Sequence, residues 1–336
     1  MPPLKQTITR DDVAKKAGVS AGVVSWVMNG TAKEYRISDS TIKKVLKAAE
    51  TLNYTPSIWG QMLKTRKSDI IGFVSEGLTD FATNQVIRAI ESSARERGYS
   101  IMLFNIPQTE MVDNRFIERF KLTIADGFIF RSYENDYLKK NVKKMFSGKP
   151  FSMIGNVGQS QQLPSVDVDD FLGGKMGYQH LVDCGCDNIG VIAGNTDRDY
   201  TKLRIDGCKA IQRKSKTRIQ LASAKNESQR GFEFGYKTVL KWNKSNKIPK
   251  GIFAIGDSIA MGVFRAMYEL KLHCPDDIKV VGYDGTDLAH MSSPSLTTIQ
   301  QPYGEQGRIL VDTVVDALEE KSTKPSPKVL SPELLK

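Results

Sequence analysis

Long apolar runs are missing from this chain of 336 residues. The stretch Ile70-Ile71-Gly72-Phe73-Val74 is typical of its longest, far short of the roughly 18 residues of a membrane span. The opening MPPLKQTITR lacks the apolar core of a secretion signal, so a cytoplasmic location without membrane association is expected. Cysteine is scarce. Cys184 and Cys186 form one close pair, and Cys208 and Cys274 lie apart from each other. A zinc site of cysteines needs two close pairs, so reduced thiols are expected, with no metal, disulfide or cofactor. Catalytic signatures are lacking too: there is no P-loop, no HExxH and no G-x-S-x-G. Gly173-Gly174-Lys175-Met176-Gly177 has the wrong spacing for a dinucleotide fingerprint. Of three histidines, His180 sits beside Leu181 and Val182 as a packing residue, and His273 and His290 fall in or near loops. An enzyme is not expected.

What the chain does have is positive charge: 48 Lys+Arg against 38 Asp+Glu, a net +10. Residues 1–68 hold 12 basic and 5 acidic residues, or +7, which leaves +3 for the other four fifths. That asymmetry suits a small nucleic-acid-binding module joined to a near-neutral body. Such binding should weaken by about 0.9 log unit per log unit of salt for each phosphate neutralised.

The pattern within the basic segment is helical. Thr9 precedes Asp12 by three positions, as a capping box does, and Val13, Ala14 and Ala17 share a face that ends at Gly18. Ser20 can cap a second helix to about Asn29 with Val23, Val24 and Val27 inward. A third begins near Ser38, with Ile42, Val45, Leu46, Ala49 and Leu52 at helical spacing. Helix, glycine turn, helix and a supporting third helix is the helix-turn-helix order.

From residue 69 short apolar runs alternate with amphipathic stretches. The runs are Ile70–Val74, Ser100–Phe104, Gly127–Phe130 and Phe151–Ile154, then Ile189–Ala193, Arg218–Ala222, Gly251–Ile255 and Ile278–Gly282. This predicts an α/β body of parallel sheets with helices on both faces, in two lobes of four strands, with a ligand cleft between them.

Ile8 to Ser20 (ITRDDVAKKAGVS), Val24-Ser25, Met28-Asn29-Gly30 and Leu52-Asn53-Tyr54-Thr55-Pro56 resemble the DNA-binding head of the lactose/galactose repressor (LacI/GalR) family. Leu203-Arg204 with Gly207, Phe253 to Asp257, Val280 to Gly285 and Leu296 to Pro302 resemble its core, so the likeness spans about residues 8–335. The resemblance implies a helix-turn-helix domain (1–56), a hinge (57–68) and a periplasmic-binding-protein-like effector core (69–336). Its first lobe would comprise about 69–160 and 290–324, and its second about 161–289 and 325–336. It also implies a homodimeric regulator, most often a repressor, on an inverted-repeat operator, controlled by a sugar or sugar derivative. With no heptad tail after Leu335, a coiled-coil tetramer is not expected. The alternative is a solute-binding protein with an incidental basic arm.

Carried over by position, Ala21, Gly22, Val23, Ser25 and Trp26 would face the major groove, and Thr9, Ser20, Ser25, Asn29, Ser38 and Thr41 the phosphates. Leu63, within the Ser57–Arg66 hinge, matches the family's minor-groove wedge. Ala21, Gly22 and Trp26 depart from the usual base-reading code, with packing against the third helix as the other role for Trp26. The loop 30–37 is longer than in the family's lactose repressor. The effector cleft would hold Asp80, Phe81, Arg131, Val168, Asp169, Arg204, Gly256, Asp257, Asp284 and Gln301. Arg204 would be the ligand's main donor unless a salt bridge to Asp206 occupies it. Gly256 and Gly155 stand where relatives often carry Asn and Asp. With Arg131 as an added cation, this favours an anionic effector such as a sugar acid or sugar phosphate.

Overall fold

The computed structural model describes residues 8–55, 67–106, 123–131, 141, 148–155, 163–196, 198–224, 231–321 and 326–336. Contacts divide the chain between Ser68 and Asp69 into two compact units.

In the first unit, short polar side chains begin each helix. Helix α1 (Arg10–Ala17) starts from a reciprocal box: the Asp12 amide donates to Thr9 Oγ1 (3.3 Å), and the Asp12 carboxylate accepts from the Thr9 amide (2.8 Å). Gly18, at φ 70°, ends it in the left-handed conformation that glycine adopts without strain. Ser20 caps α2 (Ala21–Met28) and Ser38 caps α3 (Asp39–Thr51), each accepting an amide hydrogen two or three residues into its helix. Val13, Ala14, Val24, Val27, Ala32, Val45, Ala48 and Ala49 form the core. One inward position differs from expectation. Leu46 is 47% exposed, because Ala48 and Ala49 complete the buried stripe with Val45 and leave it a quarter-turn outside. Val23, like Ala17, Ile42 and Leu52, is half-buried and packs against that core.

The second unit has two lobes. In the first, β1 (Ile70–Glu76), β2 (Ser100–Ile106), β3 (Gly127–Arg131) and β4 (Phe151–Ile154) form an all-parallel sheet in the order β2-β1-β3-β4. A short strand β5 (Val166–Val168) follows. Helix α4 (Phe81–Glu96) and the late helix α10 (Tyr303–Leu318) bury Val86, Ile90, Leu310 and Val314 with Ile71, Phe73 and Ile129.

The second lobe contains α5 (Asp170–Asp183), β6 (Asn188–Asn195), α6 (Asp199–Ser215), β7 (Arg218–Ala224), α7 (Gly231–Lys244), β8 (Gly251–Ala254), α8 (Asp257–Glu269), β9 (Lys279–Asp284), α9 (Asp287–Met291) and β10 (Thr297–Gln300). After α10 come β11 (Lys328–Leu330) and β12 (Glu333–Leu335). The sheet order is β12-β10-β9-β8-β6-β7, parallel except for β12. The eight expected strands are present. The second sheet has six strands instead of four among the described residues, because β10 (TTIQ) has one apolar residue and β12 only three residues in all.

Lobe boundaries shift accordingly. Residues 297–300 belong to the second lobe, since β10 pairs with β9, whereas about 290 onward was expected in the first. Residues 166–168 belong with the first, since β5 pairs with β11 and Val166 joins that lobe's core. The chain crosses three times: after β5, between β10 and α10, and between β11 and β12. These crossings are neighbours, with Val168 beside Leu330 and Gln300 beside Glu333.

Candidate functional site

On the first unit, the face of α2 that follows the Ser20 cap is nearly bare. Ala21 is half-buried, Gly22 is exposed, and Ser25 Oγ accepts from Asn29 Nδ2 (3.3 Å). Thr9, Ser20, Asn29 and Ser38 are exposed and Thr41 is partly so; the Ser38 and Thr41 hydroxyls lie 2.9 Å apart. Trp26 does not pack on α3. Its ring stacks on Tyr35, with centroids 4.2 Å apart and planes 11° apart. Leu63 and the 57–66 part of the hinge lie outside the described residues.

In the second unit the expected effector residues fall on both lobes. On the first lobe, Asp80 caps α4, accepting from the Ala82 and Thr83 amides and from Thr83 Oγ1 (2.8 Å). Arg131, ending β3, donates to Thr83 Oγ1 and stands 3.6 Å from Asp80. Phe81 beside them is 48% exposed.

On the second lobe Arg204 is the hub. Its Nε donates to Asp170 (2.8 Å) and one terminal nitrogen to the Ile255 carbonyl (3.0 Å). Its plane lies over Tyr283 at 3.5 Å, and Asp284 is 3.6 Å away. The expected competitor Asp206 pairs instead with Lys209. Gly174 and Gly207 bring α5 close enough to α6 for Asp170 to reach: a Cβ on either would lie within 2.2 Å of the opposite backbone. Gln301 donates to Asp284 (2.7 Å), and a Cβ at Gly256 would stand in ordinary contact with that carboxylate, at 3.7 Å.

Two expected cleft residues are placed otherwise. Asp257 is fully buried and saturated by Thr286 N (2.7 Å), Thr286 Oγ1 (2.9 Å) and Thr298 Oγ1 (2.6 Å), so it ties β9 to β10 instead of facing a ligand. Val168 is buried in the β5–β11 pair. Asp169 is partly exposed and caps α5 by accepting from Leu172 N (2.8 Å). Asp170, Tyr283 and Tyr303 were not foreseen. The Tyr303 hydroxyl is buried and has no hydrogen-bond partner among the described residues. Tyr303 packs in the core of the first lobe, and burial raises its hydroxyl's pKa. Across the lobes Gln85 and Arg88 of α4 both hold Asp287 of α9 at 2.9 Å.

Burial pushes Asp284 up to about 8, helped by the charges of Asp257 and Asp80 and opposed by Arg204. An ordinary aspartate titrates near 3.9. The folded chain therefore holds a proton there that the unfolded chain releases, and stability falls as pH rises from about 4 to about 8. Asp284→Asn is expected to remove this slope: its melting temperature should gain on the parent's steadily across that range. A difference between the two proteins that stays constant with pH would refute the assignment.

Residues 9–57 match the family described as Bacterial regulatory proteins, lacI family, and residues 178–336 match Periplasmic binding protein-like domain. The chain is 30% identical over 329 residues to the Ribose operon repressor of Escherichia coli (strain K12), covering 97% of this chain and 98% of that one. The chain belongs to the lacI family. It is also 31% identical over 342 residues to the HTH-type transcriptional repressor PurR of Glaesserella parasuis, covering 97% and 96%. Among solved structures it resembles the Lac repressor dimer bound to operator and the anti-inducer ONPF, with TM-score 0.82, 25% identity and 98% of each chain covered.

As a lacI-family member, the chain is a DNA-binding transcriptional regulator of the repressor kind whose α/β core provides ligand control. The relatives it matches are repressors, not enzymes. Among the described residues, no helix is long and apolar enough to cross a membrane.

Proposed function

We propose that two copies of this cytoplasmic protein hold an inverted-repeat operator through residues 1–56, with Leu63 of the 57–68 hinge as the central wedge. The effector is an uncharged sugar bound between the lobes of the core (69–336). The observation that carries the effector reading is charge balance in the cleft. Arg131 is matched by Asp80, and Arg204 by Asp170. The positive surplus that favoured an acidic effector in sequence is therefore used up within the protein. What remains on offer is hydrogen bonding suited to hydroxyl groups: Asp284 and Gln301. Pairing of two copies is supported by apolar exposure on the second lobe, where Phe232 is 49%, Tyr268 77% and Met291 78% exposed on α7, α8 and α9.

Because an effector must prefer one lobe arrangement to act, it should change operator affinity by linkage. Footprinting on the DNA upstream of the protein's own gene tests both parts. Two protected half-sites related by a dyad are expected, with occupancy shifted by a neutral pentose or hexose. Response to sugar acids or phosphates alone would overturn the effector reading, and lack of any footprint would favour a solute-binding protein.

A further inference from the structure

We infer that Tyr35 determines operator specificity, forming with Trp26 one stacked aromatic surface that reads the thymine-methyl side of a base pair. This rests on the reading above that the exposed face of α2 enters the major groove.

The head of α2 carries almost no reading chemistry of its own. Ala21 offers a methyl, Gly22 nothing, and neither can make the bidentate contacts by which Arg selects guanine or Asn adenine. Trp26 fills that bare stretch. Its Cη2 atom lies 4.0 Å from where a Cβ of Gly22 would be, so the indole reaches back along the helix over the glycine. Tyr35 then lies flat on the indole while keeping 51% of its own surface exposed.

The loop that carries Tyr35 is anchored at both ends. Ala32 is buried in the unit's core, Thr31 N donates to the Trp26 carbonyl (3.0 Å), and Ile37 N donates to the Ala32 carbonyl (2.9 Å). Between them Arg36 takes φ 54°, and its amide donates to Lys33 (3.0 Å), which closes the turn under the tyrosine. The stack is thus part of the folded unit, and residues 30–37 extend the recognition helix sideways. Exposed Glu34 and Arg36 flank Tyr35, and Arg36 and the nearby exposed Lys33 suit adjacent phosphates.

In the major groove, thymine alone presents an apolar group, its C5-methyl. An aromatic surface with single polar atoms at its rim gains by covering that methyl and discriminates little by hydrogen bonds.

The test is selection from random duplexes by the full-length protein and by Tyr35→Ala and Tyr35→Phe, followed by deoxyuridine replacement of each selected thymine. For the parent, one thymine per half-site should lose roughly threefold or more in affinity when its methyl is removed. Tyr35→Phe should keep that penalty, and Tyr35→Ala should lose it with unchanged binding to unrelated DNA and unchanged helicity. Selection of the same half-site by Tyr35→Ala, with the same penalty, would overturn the inference and leave groove entry by α2 standing. Loss of the penalty in Tyr35→Phe would assign the effect to the hydroxyl and also overturn it. A parent protein that selects no common sequence would remove the underlying reading instead.

Discussion

Arg204→Ala is expected to destabilise the core by about 3–5 kcal/mol, the usual cost of removing one partner from a buried ion pair. Asp170 is the reason. It is buried and accepts from Arg204 Nε and the Tyr283 hydroxyl, so removing the arginine leaves a buried carboxylate without its cation. Losing the guanidinium also strips Tyr283 of the cation over its ring and frees the Ile255 carbonyl of its donor. Arg204→Lys keeps the charge but not the planar fork, so it should fall between the parent and the alanine variant. Calorimetry on the full-length chain reads the core transition directly. A loss below about 1 kcal/mol would mean that water reaches Asp170 and the network is not closed.

Gly262→Ala should cost a similar amount for an unrelated reason. A Cβ at Gly262 would lie 1.9 Å from the Phe232 carbonyl oxygen, and one at Gly235 would lie 2.2 Å from the Ile259 carbonyl. Helices α7 and α8 therefore meet backbone to backbone, and backbone cannot swing aside as a side chain can. Overpacking of this kind costs about 1–3 kcal/mol, and the upper end is expected. Gly304→Ala serves as the control. Nothing lies within 4 Å of that position near the start of α10, so stability should hold or rise by up to about 1 kcal/mol. Equal melting of the parent and Gly262→Ala would show that α7 can slide along α8.

Much of this molecule was legible because its signals are local. Thr9, Gly18, Ser20 and Ser38 each mark a helix end by chemistry within three residues of it, and each marks one in the structure. The eight expected strands announced themselves by runs rich in apolar residues. What could not be read depends on contacts between distant segments. Strands β10 and β12 are four and three residues long, and only pairing with each other and with β9 makes them strands. Asp257 and Asp284 look equivalent, each near a strand end before small residues. Three threonine donors hold the first, while the second meets Gln301 and Arg204. Asp169 and Asp170 are adjacent, but the start of a helix points one at its own amides and the other at Arg204. Trp26 and Tyr35 are nine residues apart, and their meeting rests on the path of a turn through Ala32 and Arg36.

The three adjacent crossings between the lobes have a mechanical consequence. The last of them, Ser331-Pro332, is tied at one end by the Asp169 amide on the Leu330 carbonyl (2.8 Å) and at the other by the Gln300–Glu333 pairing. Three chains laced side by side behave as a strap: it folds easily about the line across its width but resists twisting and sliding in its own plane. One soft degree of freedom is left between the lobes. The Gln85–Asp287 and Arg88–Asp287 contacts also span the lobes, and Gln85 and Asp287 line one pocket with Gln300, Gln301 and Glu333, so they brace the strap close to its line of bending.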